Sequence, residues 1–309
     1  MFEYFMLFFG LNPRKKMLNK FFSGIVLTIF TAFLVHIPFT SFSSLNSVLI
    51  VLRVMTITRV IATLSSYLLM KKRSEKVMKI FLKLKNHQKV NFIADESEKL
   101  RSLLPIGVIL ILTFSAMSLT FTNKNVGKSY EIKTFPIDFE KLFALSVLYL
   151  TGWTVILQTI YFELFFRYYT IIEDFNNRLK RRIAEPSPMT VINVQKSVNT
   201  FIRFQIDLSE NVNILIYFII SIIIALNGIF ITIVFLSPEF SLRFYLFNII
   251  FLFSLNAHFL WTQKTLLEKS KSISELIERL NKWQYFKKKL ELSVELAVLE
   301  LSLSFMGKD

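Results

Sequence analysis

The chain contains no cysteine, so disulfides and cysteine-based metal sites are excluded. It has three histidines, His36, His87 and His258, and none stands in a His-x-x-x-His or Glu-x-x-His spacing. Only seven glycines occur, which disfavours glycine-rich phosphate cradles. No P-loop, dinucleotide fingerprint, nucleophile elbow or paired carboxylate is present. A potassium-filter Thr-Val-Gly-Tyr-Gly sequence is missing, and the two halves show no internal duplication. No Asn-x-Ser/Thr acceptor marks a surface as extracellular. These absences predict a protein that is not an enzyme and needs no cofactor or metal.

What is abundant is apolar. Of 309 residues, 53% are hydrophobic, and phenylalanine alone supplies 34. The excess is gathered in long runs, as expected for a chain solvated by a bilayer. Six runs are long enough to cross about 30 Å of hydrocarbon. They are 21–39, 45–70, 103–121, 142–166, 212–236 and 244–261. The first is too long for the apolar core of a cleavable leader and lacks a small-residue cleavage site, so it reads as a span.

The net charge of +15 is distributed unevenly. The segments 1–20, 71–102, 167–211 and 262–309 together carry 30 Lys and Arg. The alternate segments 40–44, 122–141 and 237–243 carry five. Basic residues concentrate on the cytoplasmic side of membrane proteins. The expected topology is therefore a cytoplasmic N-terminus, two long cytoplasmic segments and a cytoplasmic tail. An inside N-terminus argues against a G-protein-coupled receptor. The basic surplus is read as topology control and contact with anionic lipid, not nucleic-acid binding.

The fold expected is all-α: a polytopic helical membrane protein with about six spans, its helices extended into a cytoplasmic bundle. Residues 1–261 would form the spanning region, and 262–309 an amphipathic tail. The fourth run continues beyond the bilayer through Ile172, Phe175, Leu179 and Ile183, at helical spacing. Pro186 and Pro188 would end it. A helix over 142–183 would be about 60 Å long, roughly twice the hydrocarbon thickness. Segment 191–208 carries Val191, Val194, Val198, Phe201 and Ile202 on one face. The tail repeats the pattern at Ile273, Leu276, Ile277, Leu280, Trp283, Phe286 and Leu290. Such stripes need a partner. A bundle supplies one; helices lying flat on the inner leaflet are the alternative, with Lys287, Lys288 and Lys289 contributing.

Polar residues inside the runs are the candidate ligand contacts. Arg53 and Arg59 lie in the second run. An intramembrane arginine faces a cavity or a polar partner. Tyr149, Trp153 and Asn227 fall in the outer half of their runs, and Gln158 lies deeper. Arg53, Tyr149, Trp153 and Asn227 are the expected ligand-binding set, with packing and interhelical bonding as the structural alternative. Glu163 and Arg167, four apart, are expected to form a helical ion pair.

The stretch from Phe165 to Leu179, FFRYYTIIEDFNNRL, resembles the end of the fourth helix in arthropod gustatory receptors. There an aromatic span runs into a cytoplasmic helix with an "Arg/Asp-Phe-x-x-Leu-Asn-x-x-Leu"-like pattern. Leu208-Ser209-Glu210-Asn211-Val212-Asn213 is similar to that family's entry to its fifth helix, and Glu295 to Gly307 to its segment before the last helix. The resemblance implies a seven-helix chemoreceptor of the gustatory and odorant receptor superfamily. It would be a plasma-membrane subunit of a tetrameric cation channel, gated by a small tastant or odorant. The family's Thr-Tyr…Gln-Phe pore helix has no counterpart before Asp309. The expectation is thus a chain that stops ahead of the pore-lining helix. A transporter or a non-conducting membrane scaffold is the alternative.

Overall fold

A computed structural model describes residues 6–7, 9–39, 47–90, 139–182, 188–236 and 242–285. Among these the chain is all-α, with six long helices and no strand. They are α1 (Lys16–Phe39), α2 (Ser47–Val90), α3 (Phe139–Arg182), α4 (Pro188–Asn211), α5 (Leu215–Leu236) and α6 (Leu242–Tyr285). Three of them, α2, α3 and α6, are each 44 residues long, or about 66 Å. The expected span 103–121 and the tail beyond 285, with Phe286 and Leu290, lie outside the described residues.

The helix expected over 142–183 is α3. Pro188 opens α4, where its missing N–H costs no helical bond. Two elements extend further than hydropathy suggests. The second apolar run ends at Met70, yet α2 continues for twenty residues. Its buried Val77, Ile80, Phe81 and Leu84 recur every three or four residues, and the lysines occupy the remaining positions. Likewise α6 passes from the sixth run into the tail without a break.

The chain is interrupted between α4 and α5. There the amides of Val212 and Asn213 both donate to the carbonyl of Leu208, at 2.8 and 3.1 Å. A tighter closure precedes α1. Gly10 has φ of 66° and donates to Leu7 O at 2.9 Å, while Leu11 donates to Met6 O at 2.6 Å. This is a Schellman closure, with Met6 and Leu11 both buried. A Cβ on Gly10 would come within 2.3 Å of the Ser23 amide nitrogen, so the close approach and the left-handed backbone both require glycine.

The described residues group into two compact units. Residues up to 78, 139–161 and 214–261 form the first; 79–90, 162–213 and 262–285 belong to the second. The first has a core of Phe30, Val60, Tyr67, Trp153, Leu157, Leu215, Ile222 and Leu255. The second buries Phe81, Leu84, Phe165, Ile172, Leu179, Val198, Phe201, Leu276 and Leu280. The described parts of the amphipathic segments anticipated in the tail and before the fifth run, Ile273, Leu276 and Leu280 and Val194, Val198 and Phe201, are therefore buried within this unit.

The two units differ in what they expose. Among the described residues, the exposed large apolar side chains belong to the first unit except for Val90, Ile206 and Leu267. They form stripes at helical spacing: Ile50, Val54, Ile57, Ile61 and Leu68 on α2; Tyr217, Ile220, Ile224 and Ile231 on α5; Leu246, Ile250, Phe253 and Leu260 on α6.

Candidate functional site

The first unit holds polar side chains in two clusters, the first enclosed and the second half-buried. One surrounds Trp153, which is fully enclosed. Its indole Nε1 donates to Ser66 Oγ at 2.8 Å. Ser66 in turn donates to Thr63 O at 2.8 Å, and Thr63 to Arg59 O at 2.7 Å. These hydroxyls bond back along α2, the way buried Ser and Thr avoid desolvation cost inside a helix. Tyr67 stacks edge-on against Trp153 at 5.3 Å and against Phe30 at 5.6 Å. The Tyr67 hydroxyl donates to Phe9 O at 3.0 Å, and the Phe9 ring lies 5.3 Å from Trp153. The ring faces are therefore spent on one another, and the heteroatoms on protein partners.

The second cluster joins α5 and α6 through amides. Asn227 and Asn256 donate reciprocally, at 3.2 and 3.0 Å. Each also donates to the carbonyl one turn back, Ile223 O at 2.9 Å and Leu252 O at 2.8 Å. Both N–H groups of each amide are thereby used. On another face of α6, His258 Nδ1 meets Gln158 Oε1 at 2.6 Å. Both residues are buried, and Gln158 Nε2 has no partner among the described residues.

Of the four expected ligand contacts, Trp153 belongs to the aromatic cluster and Asn227 to the amide pair. Arg53 lies in α2 and Tyr149 in α3, and their side chains are outside the described residues. Arg59 is buried. Sequence reasoning did not single out Thr63, Ser66, Tyr67, Asn256 or His258. A signal existed for two of them: Thr63 and Ser66 follow Arg59 at helical spacing within an apolar run. For Asn256 and His258 there was none, because the partners Asn227 and Gln158 are distant in sequence.

The second unit carries a set of ionic contacts among the described residues. Arg167 meets Glu163 at 2.6 Å, the expected pair four apart. Arg167 also donates to Gln88, and its guanidinium lies 5.4 Å from the Phe81 ring centroid. One buried cation thus holds α2 to α3. Tyr168 donates to Gln205 at 2.6 Å, and burial pushes its hydroxyl pKa up. Between α3 and α6, Lys269 pairs with Glu173 and Asn176 donates to Ser272 O. Arg279 donates to Asn176 O at 2.7 Å.

His87 stands half-buried, edge-on to Phe201 at 6.3 Å and Phe204 at 6.0 Å. Burial lowers its pKa first; Arg178 lowers it further, and Asp174 partly opposes this. No group of three or more metal-capable side chains occurs among the described residues.

Comparison with family models, with curated proteins and with solved structures finds no match. These clusters carry hydrogen bonds and ion pairs that join helices, with polar groups held in an apolar setting.

Proposed function

We propose that the chain is a polytopic membrane protein, its N-terminus cytoplasmic, that acts as a gustatory-receptor-like chemosensory subunit. In this reading it assembles as a tetrameric cation channel at the plasma membrane and responds to a small-molecule tastant or odorant. The observation that carries the membrane assignment is the surface of the first unit. Apolar stripes on three helices are left exposed, a surface that water disfavours and lipid accepts. The ion pairs Lys83–Asp207, Arg178–Asp174 and Lys269–Glu173 all belong to the second unit, as suits a body in water.

By length and composition, one helix among the described residues is apolar enough to cross a membrane. It is Leu215–Thr232 within α5, with mean hydropathy 2.5. Only 39% of that segment is buried, whereas the core helix of a soluble protein would be mostly covered. The remaining spans rest on the apolar runs and on the division of 30 cations from five. The chemosensory assignment rests on the resemblance at Phe165–Leu179 and Leu208–Asn213, together with the long α3. Within this reading Trp153 and Asn227 position helices, while Arg53 and Tyr149 are the candidates for ligand contact.

Epitope tags test the topology. A tag at Met1 is expected to be reached only after permeabilisation, and one within 122–141 on intact cells. The reverse pattern overturns the orientation. Cation current evoked by a tastant and odorant panel tests the channel. Its absence both from this chain and from a version extended by the family's pore-lining helix, in cells where each reaches the surface, rejects the channel and leaves a transporter or scaffold.

A further inference from the structure

Between Glu3 and Glu75 the chain contains no acidic residue. Arg14, Lys15, Lys16 and Lys20 fall within that stretch, and all four are exposed. Lys15, Lys16 and Lys20 make no ion pair among the described residues. Their charge is therefore uncompensated within their own segment. Beside them the opening turns of α1 expose Met17 and Phe21, 89% and 63% accessible. Lys16 and Lys20 are one turn apart, as are Met17 and Phe21, so a basic stripe and an apolar stripe adjoin.

This patch is not carried on a loose tail. The Schellman closure at Gly10, the Tyr67 bond to Phe9 O and the buried Leu11 hold the chain just ahead of it. Asn12 is also buried, and its Oδ1 accepts the amide of Arg14 at 3.0 Å. The lysines thus leave a fixed turn, and docking onto them orders little further chain.

We propose that the opening turns of α1 dock acidic phospholipid headgroups. Lys15, Lys16 and Lys20 meet the phosphates, and Met17 and Phe21 enter the boundary between headgroups and acyl chains. The inference rests on the membrane assignment above and names the lipid class that this surface selects. Charge complementarity decides the occupant: a cationic surface without internal anions beside an apolar wedge matches an anionic leaflet.

The test uses the full chain, reconstituted in nanodiscs of phosphatidylcholine containing about one part in five phosphatidylserine, with lipid retained through purification then measured. Phosphatidylserine is expected to be retained several-fold above its share, and the preference to fall as salt is raised. K15Q/K16Q/K20Q is expected to lower that preference several-fold, the other basic residues keeping a remainder. M17S/F21S is expected to weaken retention of both lipids and keep the preference for phosphatidylserine.

Equal retention of the two lipids by the wild type overturns the proposal without needing any variant. So does full preference in the triple lysine variant, or displacement of the lipid by soluble phosphoserine. Self-association in pure phosphatidylcholine that the lysine changes abolish would assign the face to a second copy and overturn lipid docking. A chain that stays in water without detergent fails the membrane assignment itself, a separate outcome.

Discussion

At the scale of single residues, the interior polar groups divide by whether their bonding is complete. The Asn227–Asn256 pair is saturated, each amide serving its neighbour and its own helix. Removing one partner leaves the other's carbonyl oxygen, half-buried between the helices, without its donor. N227L is therefore expected to lower stability by about 1–2 kcal/mol, and N227L/N256L by less than the sum of the single changes. Thermal denaturation of the four proteins in one detergent measures that coupling. Strict additivity would show the amides to be independent.

His87 makes a prediction about pH. Its folded pKa lies below the ordinary histidine value of 6.5. Between the two values the unfolded chain binds a proton that the folded chain refuses, so stability rises with pH across that window. Acidification from above 6.5 is expected to destabilise the second unit. H87L is expected to flatten this part of the dependence, compared by denaturant midpoints at several pH values. An H87L profile that matches the wild type would remove His87 as the cause.

At the scale of elements, hydropathy located most helices but misjudged where two of them end. The continuation of α3 was legible, because Ile172 and Leu179 extend an apolar face past the apolar run. The continuation of α2 was not followed past Met70, since Lys71, Lys72 and Arg73 there dominate any windowed average. Yet Val77, Ile80, Phe81 and Leu84 keep the helical period beneath those charges and are buried. Backbone amides over 77–88 are accordingly expected to exchange slowly, at rates near those over 60–70. Rapid exchange confined to 71–90 would restore a loop there. Slow exchange abolished by K79P, at an exposed position, would agree with a helix interrupted at a cost of about 3 kcal/mol.

At the scale of the whole molecule, the two units differ in the side chains they expose. The first unit exposes isoleucine, leucine and phenylalanine stripes, and the second exposes ion pairs. A chain held by the hydrophobic effect in lipid resists extraction by alkaline carbonate and is released by detergent. That behaviour is expected of the full chain in isolated membranes. Release by carbonate alone would place the exposed stripes against protein instead of lipid.

The sequence alone determined the all-α class, the amphipathic faces that pack the second unit and the Glu163–Arg167 pair. Each of these is local: a period of three or four residues, or a spacing of four along one helix. Charge asymmetry along the chain is equally local, and it carries the proposed topology. Only the tertiary structure decided which polar groups meet across helices. Trp153 found Ser66, Asn227 found Asn256, and His258 found Gln158. Partners so far apart in sequence leave no periodic trace. The angle and register at which their helices pack select them, and those depend on the shapes of all the side chains between.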